Sequence, residues 1–132
     1  MEGDAIMLDA GALAALAHGN KTLRNAIKKD LTIGSNVFVS SAVLAQALTG
    51  DARRDVRINA TLKRVLILGV DEPIARIAGM LRHKNRERND DPVDAIVVAT
   101  ADTLPGARLF TTKPALLEPL AAIRRRCFIF GV

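Results

Sequence analysis

Three aspartates of this 132-residue chain stand where a carboxylate can act on a charged ligand. Asp9 directly follows the short apolar run Ala5-Ile6-Met7-Leu8, which places it at the carboxyl end of a strand, the edge where parallel sheets collect ligands. Asp91 and Asp94 open a helix in D-P-V-D and share one face of its first turn, where unpaired N–H groups and the helix dipole favour negative charge. Carboxylates gathered on one rim suit a hard cation such as Mg²⁺, which prefers anionic oxygens and can be shared with a phosphate. An ion so held lowers the pKa of a bound water and stabilises charge at phosphorus. Each aspartate also has a plainer use. Asp91 is a good N-cap before Pro92, Asp94 suits a first turn, and Asp9 can cap the helix beginning near Gly11. Spacing alone leaves both uses open.

Other catalytic schemes have less to stand on. His18 and His83 are isolated, without H-E-x-x-H or related ligand spacing, and no histidine triad is visible. The glycines form neither G-x-G-x-x-G nor G-x-x-x-x-G-K-[ST], so nucleotide cofactors have no sequence support. The single cysteine, Cys127, makes neither an internal disulfide nor a multi-cysteine zinc site and reads as a buried thiol. A phospho-receiver reading, suggested by Asp9 and Lys113-Pro114, lacks the acid pair expected after the first strand.

The elements that must position these groups alternate between strand and helix. Strand Ala5–Leu8 runs straight into a helix over Gly11–Ala17, a second helix covers Lys21–Lys29, and Gly34-Ser35-Asn36 turns the chain into strand Val37–Val39. Ser40 or Ser41 caps a helix from Ala42 to Leu48, a basic helix spans Arg53–Arg64, and Val65–Val70 is a third strand. Helices then follow at Asp71–Lys84 and Asp91–Thr103, separated by a polar loop over Asn85–Asp90. A fourth strand, Ala107–Thr111, precedes a short helix from Pro114 and an edge strand at Cys127–Phe130. Strands alternating with helices predict a mostly parallel sheet of four to five strands, covered on both faces in a three-layer α/β/α sandwich.

Composition is that of a folded globular chain, 49% hydrophobic and 25% charged, and its length suits one domain over residues 1–132. The apolar runs Ala10–Ala17 and Ala95–Ala99 fall well short of a membrane span, and no basic-then-apolar leader opens the sequence, so a cytoplasmic location is expected. Formal net charge is +5, with basic residues crowded between Arg53 and Arg88 and again at Arg124-Arg125-Arg126, which favours a polyanionic partner. Tyr and Trp are absent and each Phe lies in an apolar stretch, so nucleic acid would be held through phosphates rather than by base stacking.

Four segments in register resemble the PIN-domain family and, more closely, its VapC-type toxins. They are I-M-L-D-A-G-A-L (Ile6–Leu13), S-S-A-V-L-A-Q-A-L-T-G (Ser40–Gly50), the stretch Leu68–Gly79, and V-D-A-I-V-V-A-T-A (Val93–Ala101) followed by G-A-R-L-F-T-T (Gly106–Thr112). The resemblance implies an endoribonuclease dependent on Mg²⁺ or Mn²⁺, a homodimer, and an antitoxin whose tail covers the acidic site. Asp9 and Asp94 match the family's first and third metal acids, and Asp91 matches an acid often found before the latter. Two positions depart: Gln46 stands where the family has Glu, and Thr111-Thr112-Lys113 replaces its "T-x-D". Lys113, turned inward, would pair with Asp9 or Asp94 and repel a cation, or else contact a phosphate together with Thr111 and Thr112. Arg82 and Arg86, near the acidic rim, are the expected RNA contacts. The alternative is a degenerate PIN scaffold that binds RNA or a protein partner without cutting. The helices Gly11–Ala17 and Ala42–Leu48 are apolar enough to be sandwiched in the core or to meet a second subunit.

Overall fold

The computed structural model describes residues 5–33 and 36–132. Its sheet has five parallel strands in the order β3-β2-β1-β4-β5: β1 (Ile6–Leu8), β2 (Val37–Ser40), β3 (Leu66–Leu68), β4 (Arg108–Thr111) and β5 (Phe128–Gly131). The central strand β1 pairs with β2 on one side and β4 on the other, Ile6 facing Val37 and Arg108. All three β1 side chains are fully buried, which explains why its sequence is uniformly apolar instead of alternating: both faces of the strand meet helices. Burial of each such side chain contributes about 1.5–3 kcal/mol.

Two groups of helices make the outer layers. In the first, α1 (Ala10–Ala17) packs on α2 (Lys21–Ile33), α3 (Ser41–Ala47) and α4 (Val56–Leu62). In the second, α6 (Pro92–Asp102) packs on α5 (Glu72–Lys84) and α7 (Pro114–Arg124). The chain builds β1, β2 and β3 outward in one direction and then returns to place β4 and β5 on the other side of β1. The topological switch therefore falls between β1 and β4, and the loops leaving their carboxyl ends part there to form a crevice.

Side-chain caps set most helix starts. Asp9 accepts from Ala12 N–H, Ser40 from Ala42 N–H, Asp71 from Ile74 N–H and Asp91 from Val93 N–H. The expected element order is observed, with three differences in extent. The second helix runs on to Ile33, and Gly34 and Ser35 of the expected turn lie outside the described residues. The basic helix is shorter than Arg53–Arg64, because the buried Asp55 carboxylate accepts from Thr49 N–H, the Thr49 hydroxyl and Gly50 N–H and holds the preceding residues in a loop. The third strand is confined to Leu66–Leu68, an edge strand that pairs with β2 alone. The loop over Asn85–Asp90 includes one 3₁₀ turn, Arg86–Arg88.

No residue of α1 is exposed, and α2, α3 and α4 pack against it, although Ala10, Gly11, Ala14, Ala15 and Ala17 stay partly accessible. Among the described residues no helix is long and apolar enough to cross a membrane.

One buried polar group is poorly served. At the far end of α6, Asp102 is 5% exposed, and neither carboxylate oxygen has a hydrogen-bond partner of ordinary geometry. Burial raises its pKa above the usual carboxylate value, while the adjacent Cys127 thiol and the charges of Arg124 and Arg126 oppose the rise only in part. Burial and that neighbouring charge in turn push the Cys127 thiol up to about 12. A carboxyl whose folded pKa is raised favours folding most at low pH and progressively less as pH climbs from the unfolded value through the folded one. Asp102→Asn is therefore expected to stabilise the protein at pH 7 by on the order of 1 kcal/mol, roughly 4 °C in Tm, with the gain vanishing near pH 4. Thermal melts of the two proteins across that range check it.

Candidate active site at the carboxyl edge

The crevice between β1 and β4 brings together side chains that lie far apart in sequence. Asp9, the residue after β1, is 2% exposed. Its Oδ1 accepts from Ala12 N–H at 2.9 Å, and its Oδ2 accepts from the Thr111 hydroxyl at 2.5 Å. Thr111 ends β4, is fully buried, and also accepts through Oγ1 from Lys113 N–H at 3.0 Å. Its hydroxyl thus ties the first carboxylate to the backbone of the lysine.

Asp94 enters from the first turn of α6 and is 6% exposed. Its two oxygens both meet the Lys113 ammonium, Oδ1 at 2.8 Å and Oδ2 at 3.0 Å. Burial by itself would lower the Lys113 pKa, but the hydrogen bond and charge of Asp94, with the charges of Asp9 and Asp91, more than offset this and leave it raised. Asp9 shows the opposite balance. Burial raises its pKa, Asp94 adds to the rise, and the Thr111 and Ala12 hydrogen bonds and the Lys113 charge only partly counter it.

Close packing holds the two segments in this register. A Cβ added to Gly11 would collide with the Thr112 hydroxyl and press on the rest of that side chain, so the first turn of α1 lies against the segment after β4 in this way because position 11 is a glycine, and a larger residue would force Thr112 to shift.

The sequence-predicted residues are placed unevenly. Asp9, Asp94, Thr111 and Lys113 converge in one bonded cluster. Asp91 is exposed, caps α6 through Val93 N–H at 2.7 Å, and reaches the cluster only through its charge on Lys113. Gln46 is exposed on α3 and makes no side-chain bond to either buried aspartate. Thr112 is exposed beside Gly11. Arg82 donates from Nε to Asp90 O at 3.1 Å, and Arg86 donates from Nη1 to His83 O at 3.1 Å, so both are engaged by their own loop. Glu118 and Asp102 are not in the crevice; they lie near Cys127. From sequence Gly11 had no assigned role in the site, although a glycine two residues after Asp9, in the first turn of a helix, is a signal for close approach.

This donor set does not fit the divalent ion that the sequence resemblance implies. Among the described residues no three His, Cys, Asp or Glu side chains converge on one point. The two carboxylates that do meet share their oxygens with the Ala12 N–H, the Thr111 hydroxyl and an ammonium ion. A dication about 4 Å from that ammonium would be repelled by roughly 8 kcal/mol at an effective dielectric near 20. The chain's own lysine supplies the positive charge that the acids require.

An all-parallel α/β/α sandwich with buried acids at the switch point between β1 and β4 defines an α/β protein with a small acidic site on its carboxyl edge. The chain matches the PIN domain family over residues 6–114 and belongs to it. Its fold is similar to that of a chain in the DNA-bound VapBC structure from Salmonella typhimurium, at TM-score 0.76 and 15% identity over 98% of both chains. It is similar also to a chain of VapBC2 from Rickettsia felis bound to a promoter DNA fragment, at TM-score 0.70 and 14% identity, covering 96% of this chain and 98% of that one. FitAcB from Neisseria gonorrhoeae follows at TM-score 0.64 and 18% identity, covering 95% and 96%. No curated protein matches in sequence. The family call and the VapC-type fold made from sequence motifs are thus borne out.

Removing the ammonium should expose the strain between the acids. Lys113→Ala is expected to destabilise the protein by about 1–2 kcal/mol at pH 7, a value kept modest because the lysine side chain is 38% exposed. The loss should shrink at pH 4, where protonation relieves the carboxylates, and carboxyl-carbon NMR should show the Asp9 pKa rising further. A pH-independent loss would mean that Lys113 contributes packing alone.

Proposed function

We propose that this chain is a toxin-type PIN protein that binds RNA without metal-dependent cleavage and is held by a small antitoxin-type protein partner. The observation carrying the proposal is the Lys113 ammonium on both oxygens of Asp94, in the place where the family resemblance would put a cation. RNA as ligand is supported by the +5 charge and by the family resemblance. The antitoxin-type partner is supported by likeness to chains from VapBC and FitAcB structures. A homodimer belongs to the same reading.

One observation favours a second reading, a Mg²⁺- or Mn²⁺-dependent endoribonuclease. Asp9 and Asp94 lie close enough that the charge of Asp94 contributes to the raised pKa of Asp9, so the two could act together if Lys113 left Asp94. In that case Asp9 and Asp94 would be the essential acids, with Asp91 and Gln46 at the margin.

Incubating the protein with a structured and an unstructured RNA, in millimolar Mn²⁺ or in chelator, separates the readings. The proposal expects RNA binding, no metal-stimulated cleavage, and no saturable Mn²⁺ binding by calorimetry. Lys113→Asp is expected to create millimolar or tighter Mn²⁺ binding by supplying a third carboxylate and removing the repulsion. Metal-stimulated cleavage by the unaltered protein, abolished in Asp9→Asn and Asp94→Asn, would establish the second reading instead.

A further inference from the structure

The largest excess of positive charge lies in one stretch of this chain, apart from the short run Arg124-Arg125-Arg126. Residues 18–64 carry nine Lys and Arg against three Asp, whereas the rest of the chain carries ten basic and eleven acidic residues. That stretch supplies α2, α4 and the loops beside the end of α1. Its three aspartates face their own chain. Asp30 accepts from Asn36 and lies 4.0 Å from Arg108, Asp51 accepts from the N–H groups of Arg53 and Arg54, and Asp55 holds Thr49 and Gly50. None of the nine cations has an ion pair with a described carboxylate.

Three of these cations share a concavity of about 240 Å³ between α1, α2 and α4, where Arg24, Arg57 and Arg64 stand around Thr61 with no acid in the wall. Arg57 Nη1 lies 3.4 Å from His18 Nδ1. Leu16 and Ala17 form the floor at the end of α1 remote from Asp9, about 10 Å along the helix axis. The loop expected to carry RNA is different. Residues 82–94 hold four basic and four acidic side chains, and Arg82, Arg86 and Arg88 are engaged by Asp90 and His83.

We infer that RNA phosphates are seated on Arg24, Arg57 and Arg64 over the α1–α2–α4 face, not along Arg82 and Arg86 beside the acidic rim. The inference rests on the RNA-binding reading above and names the surface it uses. Guanidinium groups with no ion pair to a described carboxylate, set around a polar concavity, suit phosphate oxygens, which accept from their fixed fork of donors. The absence of any aromatic residue in the wall leaves base stacking out, so binding should be insensitive to sequence and steeply dependent on salt.

Fluorescence anisotropy with a labelled single-stranded RNA, titrated over a range of salt concentrations, tests this. The triple variant Arg24→Gln, Arg57→Gln, Arg64→Gln should bind at least roughly tenfold more weakly at low salt and lower the slope of log K against log salt by about 2. Arg82→Gln with Arg86→Gln should leave both nearly unchanged, and circular dichroism melts would show each variant folded. If the unaltered protein binds RNA and only the Arg82/Arg86 variant weakens it, this inference fails while the RNA-binding reading stands. If the unaltered protein binds no RNA, both fall. Tight binding of polyglutamate on the three arginines without displacement of RNA would assign the face to an acidic protein and overturn the inference.

Discussion

A carboxylate buried at the end of a central strand must be neutralised, and most of what distinguishes this molecule depends on how that is done. Asp9 cannot leave its place: it caps α1, follows the fully buried β1, and lies under the segment that Gly11 admits. Asp94 is held as firmly by the first turn of α6. Two acids in low dielectric demand a cation, and Lys113, presented by the turn after β4, meets the demand from within the chain. The same backbone turn presents the threonine that bonds Asp9 and the lysine that bonds Asp94.

That arrangement changes what the rim can do. A site built around a divalent ion has an exchangeable cation and room for water and phosphate; a site closed by a tethered ammonium has a fixed cation of half the charge. The fold is unaffected by the exchange, because the sheet, the caps and the close approach at Gly11 do not involve Lys113's head group. The PIN architecture therefore does not rest on the head group at position 113. The fold does not by itself fix the chemistry of the rim.

Charge is also divided in space. The acidic rim lies at the carboxyl edge, and the cations with no ion pair to a described carboxylate lie around α2 and α4. Within residues 82–94, four bases and four acids balance in number, Arg88 pairs with Asp90, and Arg82 and Arg86 donate to backbone carbonyls.

The sequence by itself determined the layer order, because uninterrupted apolar strands such as Ile6–Leu8 are stable only when covered on both faces, and because Asp9, Ser40, Asp71 and Asp91 are local helix signals readable without long-range information. It also carried the family, since the motifs around Asp9, Asp94 and Thr111 keep their order, and it marked Lys113 as a departure. Helix and strand ends were less legible: the shortened basic helix depends on Asp55 reaching back to Thr49 and Gly50, a contact with no local signature. Tertiary structure alone decided which acid Lys113 pairs with, that Thr111 is spent on Asp9, that Gln46 faces solvent, and that Arg82 and Arg86 are occupied by their own loop. The physical reason is that a side chain's partner is set by distance in the folded chain, and Lys113 meets Asp94 only after α6 and β4 have been packed against the same sheet.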